Sequence, residues 1–542
     1  MKKHATRIFC ILAASLMLAS CSGNGGQNSD SSGTAAIGSS ETSTEKPVKL
    51  KIMGSVDTEL WETRENQPVW HEFQKWLADA GLEMEIEAIA DEQYEQIIQT
   101  RTAAALDLPD LLNIGPLDNV TSVNLGESGI FQDVIPLVEQ YSNGNIKKLQ
   151  EEYLPDFWGV STTADGKSYW FPMWYKSTYE KTKPFSSVTT PLIRADWLDK
   201  LGLEKPKTAD EFIEALSLMR EKDMNENGKQ DEVLLYTPGF SYMGPLFGLP
   251  DSHIGVDPSD DTVKSPWLMK ERLIPYVEFL QELVQKNILD VDSLDKPYDY
   301  TLKKIKSNQI SCQMGYANTN FYNADVEQYG GDYQGVIFDG GSGDLYVAAS
   351  TPDFVQARMA ITKECKNPEA AVRFLDLVST PEFAVLHRYG LEGDQHTYDE
   401  NGVLIPNENL NVRSYMLEGH AVGHIFWSGV FGSLALEEWE TLRVPFLNEP
   451  QILDMGDNHS TGDHKYYYGD NYHLAMATAE EIDVEDQYKP DLYTYMDETI
   501  MRLALGQYKV EDIDQYIEKM KELGLEEMVK MYQARHDRFI GK

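Results

Sequence analysis

From Val48 onward, hydrophobic and polar positions follow two periods that take turns along the chain. Val48–Ser55 (VKLKIMGS) alternates at a period of two, which predicts a strand. Asn66–Gly81 (NQPVWHEFQKWLADAG) carries an apolar stripe through Val69, Phe73 and Trp76 and predicts a helix. Glu83–Ala90 (EMEIEAIA) returns to the strand period, and Asp91–Leu106 to the helical one, with Asp91 in position to cap it. Asp110–Gly115 (DLLNIG) is a third strand. Strands alternating with helices predict an α/β fold built on a parallel sheet covered on both faces. In such sheets ligands bind beyond the carboxyl ends of the strands, so the ends at GSVD and GPLDN are the first places to look for contacts.

Further along, Ala164–Ser177 (ADGKSYWFPMWYKS) reads as a turn, an aromatic strand and an irregular aromatic run. Arg194–Asp223 holds a helix, a loop capped by Thr208 and a second helix from Asp210. Ile305–Tyr322 contains a helix end and a strand, and Tyr333–Gly341 (YQGVIFDGG) a connecting strand. Asn367–Gly390 is a helix pair capped at Asn367 and Thr380, and the chain closes with a helical hairpin broken at Gly524. No internal repeat is present.

At 542 residues the chain is too long for a single core, so two or more lobes are expected. Its formal net charge of −41 excludes a nucleic-acid binder, which needs a basic footprint, and disfavours anionic membrane surfaces. The 29 Tyr and 10 Trp either fill large cores or line a recognition surface. Contact with a membrane is left to the N-terminus. There a basic MKKHATR precedes the apolar IFCILAASLML and then LASC, which is a secretory signal over residues 1–20 rather than a spanning helix. Leu18-Ala19-Ser20-Cys21 resembles a bacterial lipobox, which implies a lipid on Cys21. Residues 21–46 are Gly/Ser/Thr-rich and predict a flexible tether. Of the four cysteines only Cys312 and Cys365 then remain, in apolar segments, and they are expected as buried free thiols.

One short stretch points to a metal. From Asp223, DMNENGKQDE places Asp223, Asn225 and Asn227 at alternate positions, then Gly228, Lys229 and Asp231. Calcium takes six to eight oxygens, and this spacing wraps side chains around an ion with a glycine at the sharp turn. The twelfth position of an EF-hand loop should be Glu and is Leu234, while a carboxylate appears at the tenth, Glu232. A solvated turn is the alternative reading.

The run from Arg194 to Val233 resembles the family 1 extracellular solute-binding proteins of bacterial ABC importers. ADGKSYWFP, YGLEGDQHTYDENG and the final DIDQYIEKMKELGLEEMVKMYQARHDRF carry the same resemblance, which covers nearly the whole chain and is nearest the large oligosaccharide subgroup. In that subgroup the loop recurs as D-x-N-x-N-G-x-x-D-E, which implies a structural calcium on Asp223, Asn225, Asn227, the Lys229 carbonyl, Asp231 and Glu232. The resemblance further implies a two-lobed periplasmic-binding-protein-like fold of type II, with a hinge, discontinuous lobes and a helical C-terminal extension. The lobes would comprise 47–175 with 340–392, and 176–339 with 393–542. KSYWFP and YQGVIFD would be the crossing strands, with GGSGDL at Gly340 as a hinge loop.

An oligosaccharide would bind between the lobes, on aromatic faces and planar polar groups. Position nominates Asp57 and Trp61 after the first strand, Asp118 and Asn119 after the third, and Trp174 and Tyr175 past a crossing. Tyr316 and Asn318 at the end of QMGY, and Trp427, complete the set. Core packing is the alternative role for each aromatic. Permease subunits would be the partners of a monomer lipid-anchored to the outer face of the cytoplasmic membrane. Against an enzyme stands the lack of GxSxG, HExxH, P-loop or Rossmann fingerprints. His459, His464 and His473 lie in a polar stretch that reads as a surface loop before a metal site. A secreted carbohydrate-active hydrolase and a peptide-binding transport protein remain the alternatives.

Overall fold

The computed structural model describes residues 46–542 apart from 57, 155–156, 160, 164, 178–187, 258–259, 296–297, 317–322, 324–325, 350–353, 401–403, 408–421, 423–432, 436–463, 469–473 and 542. β1 (Val48–Val56), β2 (Leu82–Ala90), β3 (Leu111–Asn113) and β4 (Phe171–Ser177) belong to a first sheet, and the chain then passes to a second. The second sheet takes β5 (Val188–Arg194) and β6 (Val233–Leu235). After a small hairpin of β7 (Gly255–Asp257) and β8 (Thr262–Lys264), it takes β9 (Ile310–Tyr316), β10 (Tyr333–Gly335) and β11 (Leu345–Ala349). β12 (Phe354–Ile361) returns to the first sheet. A hairpin of β13 (His396–Tyr398) and β14 (Leu404–Pro406) follows. β15 (Ser433–Ala435) then pairs with β4, and β16 (His464–Tyr468) with β11.

The pairings fix direction. In the first sheet, ordered β15-β4-β12-β3-β1-β2, every strand runs one way except β12. In the second, ordered β16-β11-β5-β9-β6 with β10 also on β5, every strand runs one way except β5. β4 and β11 therefore end, and β5 and β12 begin, at the carboxyl edges of the two sheets. The passages from Ser177 to Val188 and from Ala349 to Phe354 join those edges.

Each sheet has its own core. On one face of the first sheet Leu50, Ile52, Trp70, Phe73, Phe171 and Phe374 pack together, and on the other Met53, Tyr94, Ile98 and Trp170. The second gathers Trp197, Phe212, Trp267, Tyr276, Phe279 and Phe338, with Met496, Ile500, Met520 and Met528 from the C-terminal helices. Fully burying an apolar side chain of this size contributes about 1.5–3 kcal/mol relative to exposure, so each lobe can hold itself together. Cys312 and Cys365 are free thiols buried in different cores. Burial raises both above the usual thiol range, Cys365 to about 11.

Local signals match the expectations. Thr208, Asn367 and Thr380 accept hydrogen bonds from Glu211, Ala370 and Phe383 N–H as helix caps. Gly524 breaks the C-terminal hairpin at φ 97°. Several expectations shift. Trp70 and Leu77, not the half-buried Trp76, complete the stripe of the Pro68–Asp79 helix, because four residues spanning two turns drift around the axis. Asp91 is the first helical residue rather than the cap. KSYWFP leads into the first sheet and YQGVIFD stays in the second, so neither crosses. The loop at Gly340 precedes β11, and the return crossing comes after Ala349 rather than at 340. Within 393–542, β15 and the buried Val422 join the first lobe. Strand character is local, whereas the choice of sheet depends on partners far away in sequence.

The helix Asn119–Glu127, which follows β3, presses Gly126 on the Tyr169 ring, and a Cβ there would lie 2.0 Å from Tyr169 Cγ. Gly126→Ala gains about 1 kcal/mol of helix propensity but forces the ring out of a filled core. Overpacking costs about 1–3 kcal/mol and should win. The expected outcome is a lower denaturant midpoint and melting temperature; an unchanged or higher midpoint would refute this packing.

Candidate functional site

The carboxyl edges of the two sheets, where β4 and β11 end and β5 and β12 begin, are where ligands bind in α/β sheets, and the first lobe has a tightly ordered turn at its edge. Past β3, Asn113 Oδ1 accepts the Gly115 N–H at 2.9 Å, and Ile114 N–H donates to Arg358 O at 2.8 Å. Asp118 caps the Asn119–Glu127 helix, accepting from Thr121 N–H at 2.7 Å and Thr121 Oγ1 at 2.9 Å. Arg358 on β12 donates to Asn119 Oδ1 at 2.5 Å and Leu117 O at 2.8 Å, and its guanidinium lies 5.4 Å from the centre of the Trp170 ring. Burial pushes Arg358 down to about 10, with the charge of Asp118 opposing that shift. It stays cationic at neutral pH.

The second lobe contributes from the long helix Ala479–Ala504. Lys489 donates to Glu485 Oε1 at 2.5 Å, and Arg535 lies 3.8 Å from Glu485 Oε2. Burial works to lower the Lys489 pKa, but Tyr532, Glu485 and Asp118 together raise it. Asp118 of the first lobe thus acts electrostatically on a cation from each lobe. The sequence marks Arg358 as a lone charge in the apolar run FVQARMAI. No local signal marks Lys489, whose charge comes under the influence of Asp118 only through the path of the helix.

The other candidates are scattered. Trp61 is half-buried, packs edge-on to Trp70 at 5.6 Å and carries the Arg64 guanidinium 4.0 Å over its ring. Trp174 and Tyr175 lie toward the carboxyl end of β4, and Tyr316 ends β9, all at the edges that face the passages; their side chains lie outside the described part. Asp57, Asn318, Trp427, His459 and His473 also lie outside the described residues, and His464 begins β16.

The Asp223–Glu232 loop sits elsewhere. It precedes β6, at the amino edge of the second sheet, opposite the passages. Asp223 accepts from Asn227 N–H at 3.0 Å and Gly228 N–H at 2.7 Å. Asn225 and Asn227 donate through their amide nitrogens to Asp231 at 3.2 and 2.9 Å, and Gln309 at the foot of β9 donates to Asp231 as well. Burial alone would raise the Asp231 pKa, but these donors hold it below the usual carboxylate value. Glu232 is 1 % exposed, and its Oε2 is buried with no hydrogen-bond partner. Burial, with Asp223 and Asp231 nearby, raises its pKa. Among the described residues no group of three or more His, Cys, Asp or Glu converges as a metal cluster, so a cation here would draw on the Asn oxygens and a backbone carbonyl too. An oxygen-rich loop around a buried carboxylate with an orphaned oxygen has the chemistry of a hard-cation cradle.

The family model described as bacterial extracellular solute-binding protein matches residues 63–385. The fructooligosaccharide ABC transporter substrate-binding protein FusA of Streptococcus pneumoniae serotype 4 is 24% identical over 454 residues, 80% of each chain. The solved structure of FusA with kestose matches with a TM-score of 0.71 at 20% identity, covering 91% of this chain and 100% of that one. The FusA EF-hand mutant with fructo-nystose gives the same values. The alginate-binding protein AlgQ2, solved without calcium ion, matches with a TM-score of 0.66 at 20% identity, covering 91% of this chain and 99% of that one. These likenesses establish the two-lobed, periplasmic-binding-protein-like α/β fold.

Asp118→Ala removes the cap and should cost about 1 kcal/mol, whereas Asp118→Ser, which can still accept from the same N–H, should recover most of it. Urea unfolding of the two variants checks this. Equal losses for Ala and Ser would show that Asp118 stabilises the turn by charge rather than as a cap.

Proposed function

The chain belongs to the bacterial extracellular solute-binding proteins, and from that membership we propose that it is the oligosaccharide-capturing component of an ABC importer. The observation that carries this reading is the join between the lobes: the strand ends that flank both connections, Ser177 and Val188, and Ala349 and Phe354, lie at carboxyl edges, where α/β sheets bind ligands. Closure of one lobe on the other would take the ligand out of water. Similarity to FusA over most of the chain supports an oligosaccharide as the ligand and permease subunits as the partners. The lipobox-like LASC supports anchoring through Cys21. Among the described residues no helix is long and apolar enough to cross a membrane.

Capture without chemistry is the expected behaviour. Kestose, nystose, an oligogalacturonate and a set of short peptides would be tested by calorimetry and thermal shift. A glycan should bind saturably and, at about 100 times its Kd, stabilise the fold by about 2.7 kcal/mol. Products accumulating from the glycan would overturn the reading in favour of a hydrolase, and stabilisation by peptides alone would overturn the sugar assignment.

We further propose that the Asp223–Glu232 loop holds a structural calcium through Asp223, Asn225, Asn227, the Lys229 carbonyl, Asp231 and Glu232. The orphaned Glu232 oxygen supports it, and the loop's place at the edge away from the passages supports a structural role. The ion would neutralise the clustered carboxylates and tie the Glu221 end of the preceding helix to β6.

The sign of the pH dependence follows from Glu232. Its folded pKa lies above the unfolded value of about 4.5, so between those two values the folded chain holds the extra proton. Without calcium, the stabilisation is full below about 4.5 and is lost as pH rises through the folded pKa. With chelator the melting temperature should therefore fall across that window; with excess calcium the fall should vanish, and the gap between the two curves should widen with pH. Glu232→Gln should remove most of the gap. Parallel curves with and without calcium would refute the site.

A further inference from the structure

Tyr242 is the one aromatic among the described residues with its backbone in the left-handed region, at φ 68°. The other non-glycine residues there are Ala, Asp, Glu and Asn. A Cβ in this conformation crowds the carbonyl that follows. Such strain persists only where the surroundings impose it.

Here they do. The Tyr242 N–H donates to Asp251 Oδ1 at 2.6 Å. Beneath it, the Tyr236 hydroxyl lies 3.0 and 3.2 Å from the Gly239 and Ser241 carbonyl oxygens and 2.6 Å from the Tyr276 hydroxyl, which itself donates to Gly239 O. Both of those tyrosines are buried. The residues that follow, Met243 to Pro250, are buried without a break, whereas Ser241 and Tyr242 stand out, Tyr242 at 37 % exposure. The loop is a rigid mount that lifts one aromatic ring to the surface.

The register shows which surface. The loop leaves the carboxyl end of β6, where Leu235 pairs with Gln313 of β9. Three residues further along, β9 ends at Tyr316, paired with Thr189 at the start of β5, where the chain arrives from the first lobe. The loop that carries the mount therefore springs from the edge of the second sheet that faces the passages.

We propose that Tyr242 is a stacking platform at the second lobe's rim of the cleft, taking the apolar C–H face of one sugar ring of an oligosaccharide. This rests on the oligosaccharide reading above. A ring held by a fixed backbone loses little freedom on binding, and its π-face suits C–H donors without demanding a charge. The strained φ is then the cost of aiming the ring.

Tyr242→Gly separates this role from a structural one, because glycine adopts φ 68° freely. Melting temperature without sugar, and calorimetry with kestose, nystose and an oligogalacturonate, would be read on wild type, Tyr242→Gly and Tyr242→Phe. The glycine variant should melt at the same temperature or higher and bind roughly tenfold more weakly, while Tyr242→Phe stays within about threefold of wild type. Should the glycine variant melt lower, Tyr242→Asn, which also tolerates this φ, replaces it in the comparison. Undiminished affinity in the ring-deleted variant overturns the platform and leaves the oligosaccharide reading intact. A wild type that binds none of the three sugars overturns that reading and the platform with it.

Discussion

A strand that leaves a parallel sheet at its carboxyl edge either returns over a face or crosses to another sheet. Here β4 and β11 both cross, and β12 and β5 receive the chain at the same kind of edge. That constraint decides much else. It turns the carboxyl edges of both sheets toward the passages, so the turn after β3, the end of β9 and the loop after β6 become neighbours of the junction despite their separation in sequence. It also leaves the amino edges remote, which is where the Asp223–Glu232 loop lies. Binding and structural stabilisation are thereby separated along the strand axis of a single lobe.

The electrostatics at the junction follow from the same arrangement. Arg358 is carried on β12, the strand that returns from the second lobe, and it organises the turn through two carbonyl-type acceptors, Leu117 O and Asn119 Oδ1. Lys489 approaches from the other side on a helix whose later residues, Met496 and Ile500, belong to the second core. Asp118 lies within electrostatic reach of both. Water screens such charges while the lobes are apart, and excluding it on closure strengthens them.

What the sequence made legible was whatever is decided within a few residues. Thr208, Asn367 and Thr380 cap helices by bonding N–H groups three positions on, and that signal needs no tertiary context. The alternation in VKLKIMGS gave β1, and apolar surroundings gave the buried Cys312 and Cys365. The passages were misplaced because KSYWFP and YQGVIFD are strands in either lobe, and only their partners, Phe171 with Met359 and Gln334 with Ile193, say which. β15 is three residues long and pairs with β4 far earlier in the chain. Its sheet could not be read locally. The surroundings of the ligand candidates were the least legible: Asn119 is engaged by an arginine from another strand, and Tyr242 stands out only through a dihedral angle.

The C-terminal extension packs into both cores. Leu474 packs in the second core and Met476 in the first, beside Leu117 and Trp170. The segment between them is held by the final helix: Arg535 Nε donates to Ala475 O at 2.9 Å, and Arg538 donates to Met476 O at 3.1 Å while gripping both oxygens of Glu481 at 2.6 Å. Glu481 in turn completes the capping box with Thr478. These bonds tie residues 475–481 to a helix whose Met528 and Met531 lie in the second core, so the segment must travel with the second lobe. The Met476 side chain is then what this segment, bonded to the final helix of the second core, lends to the core of the first. An unbranched thioether side chain suits that place, because it fills irregular gaps between packed surfaces.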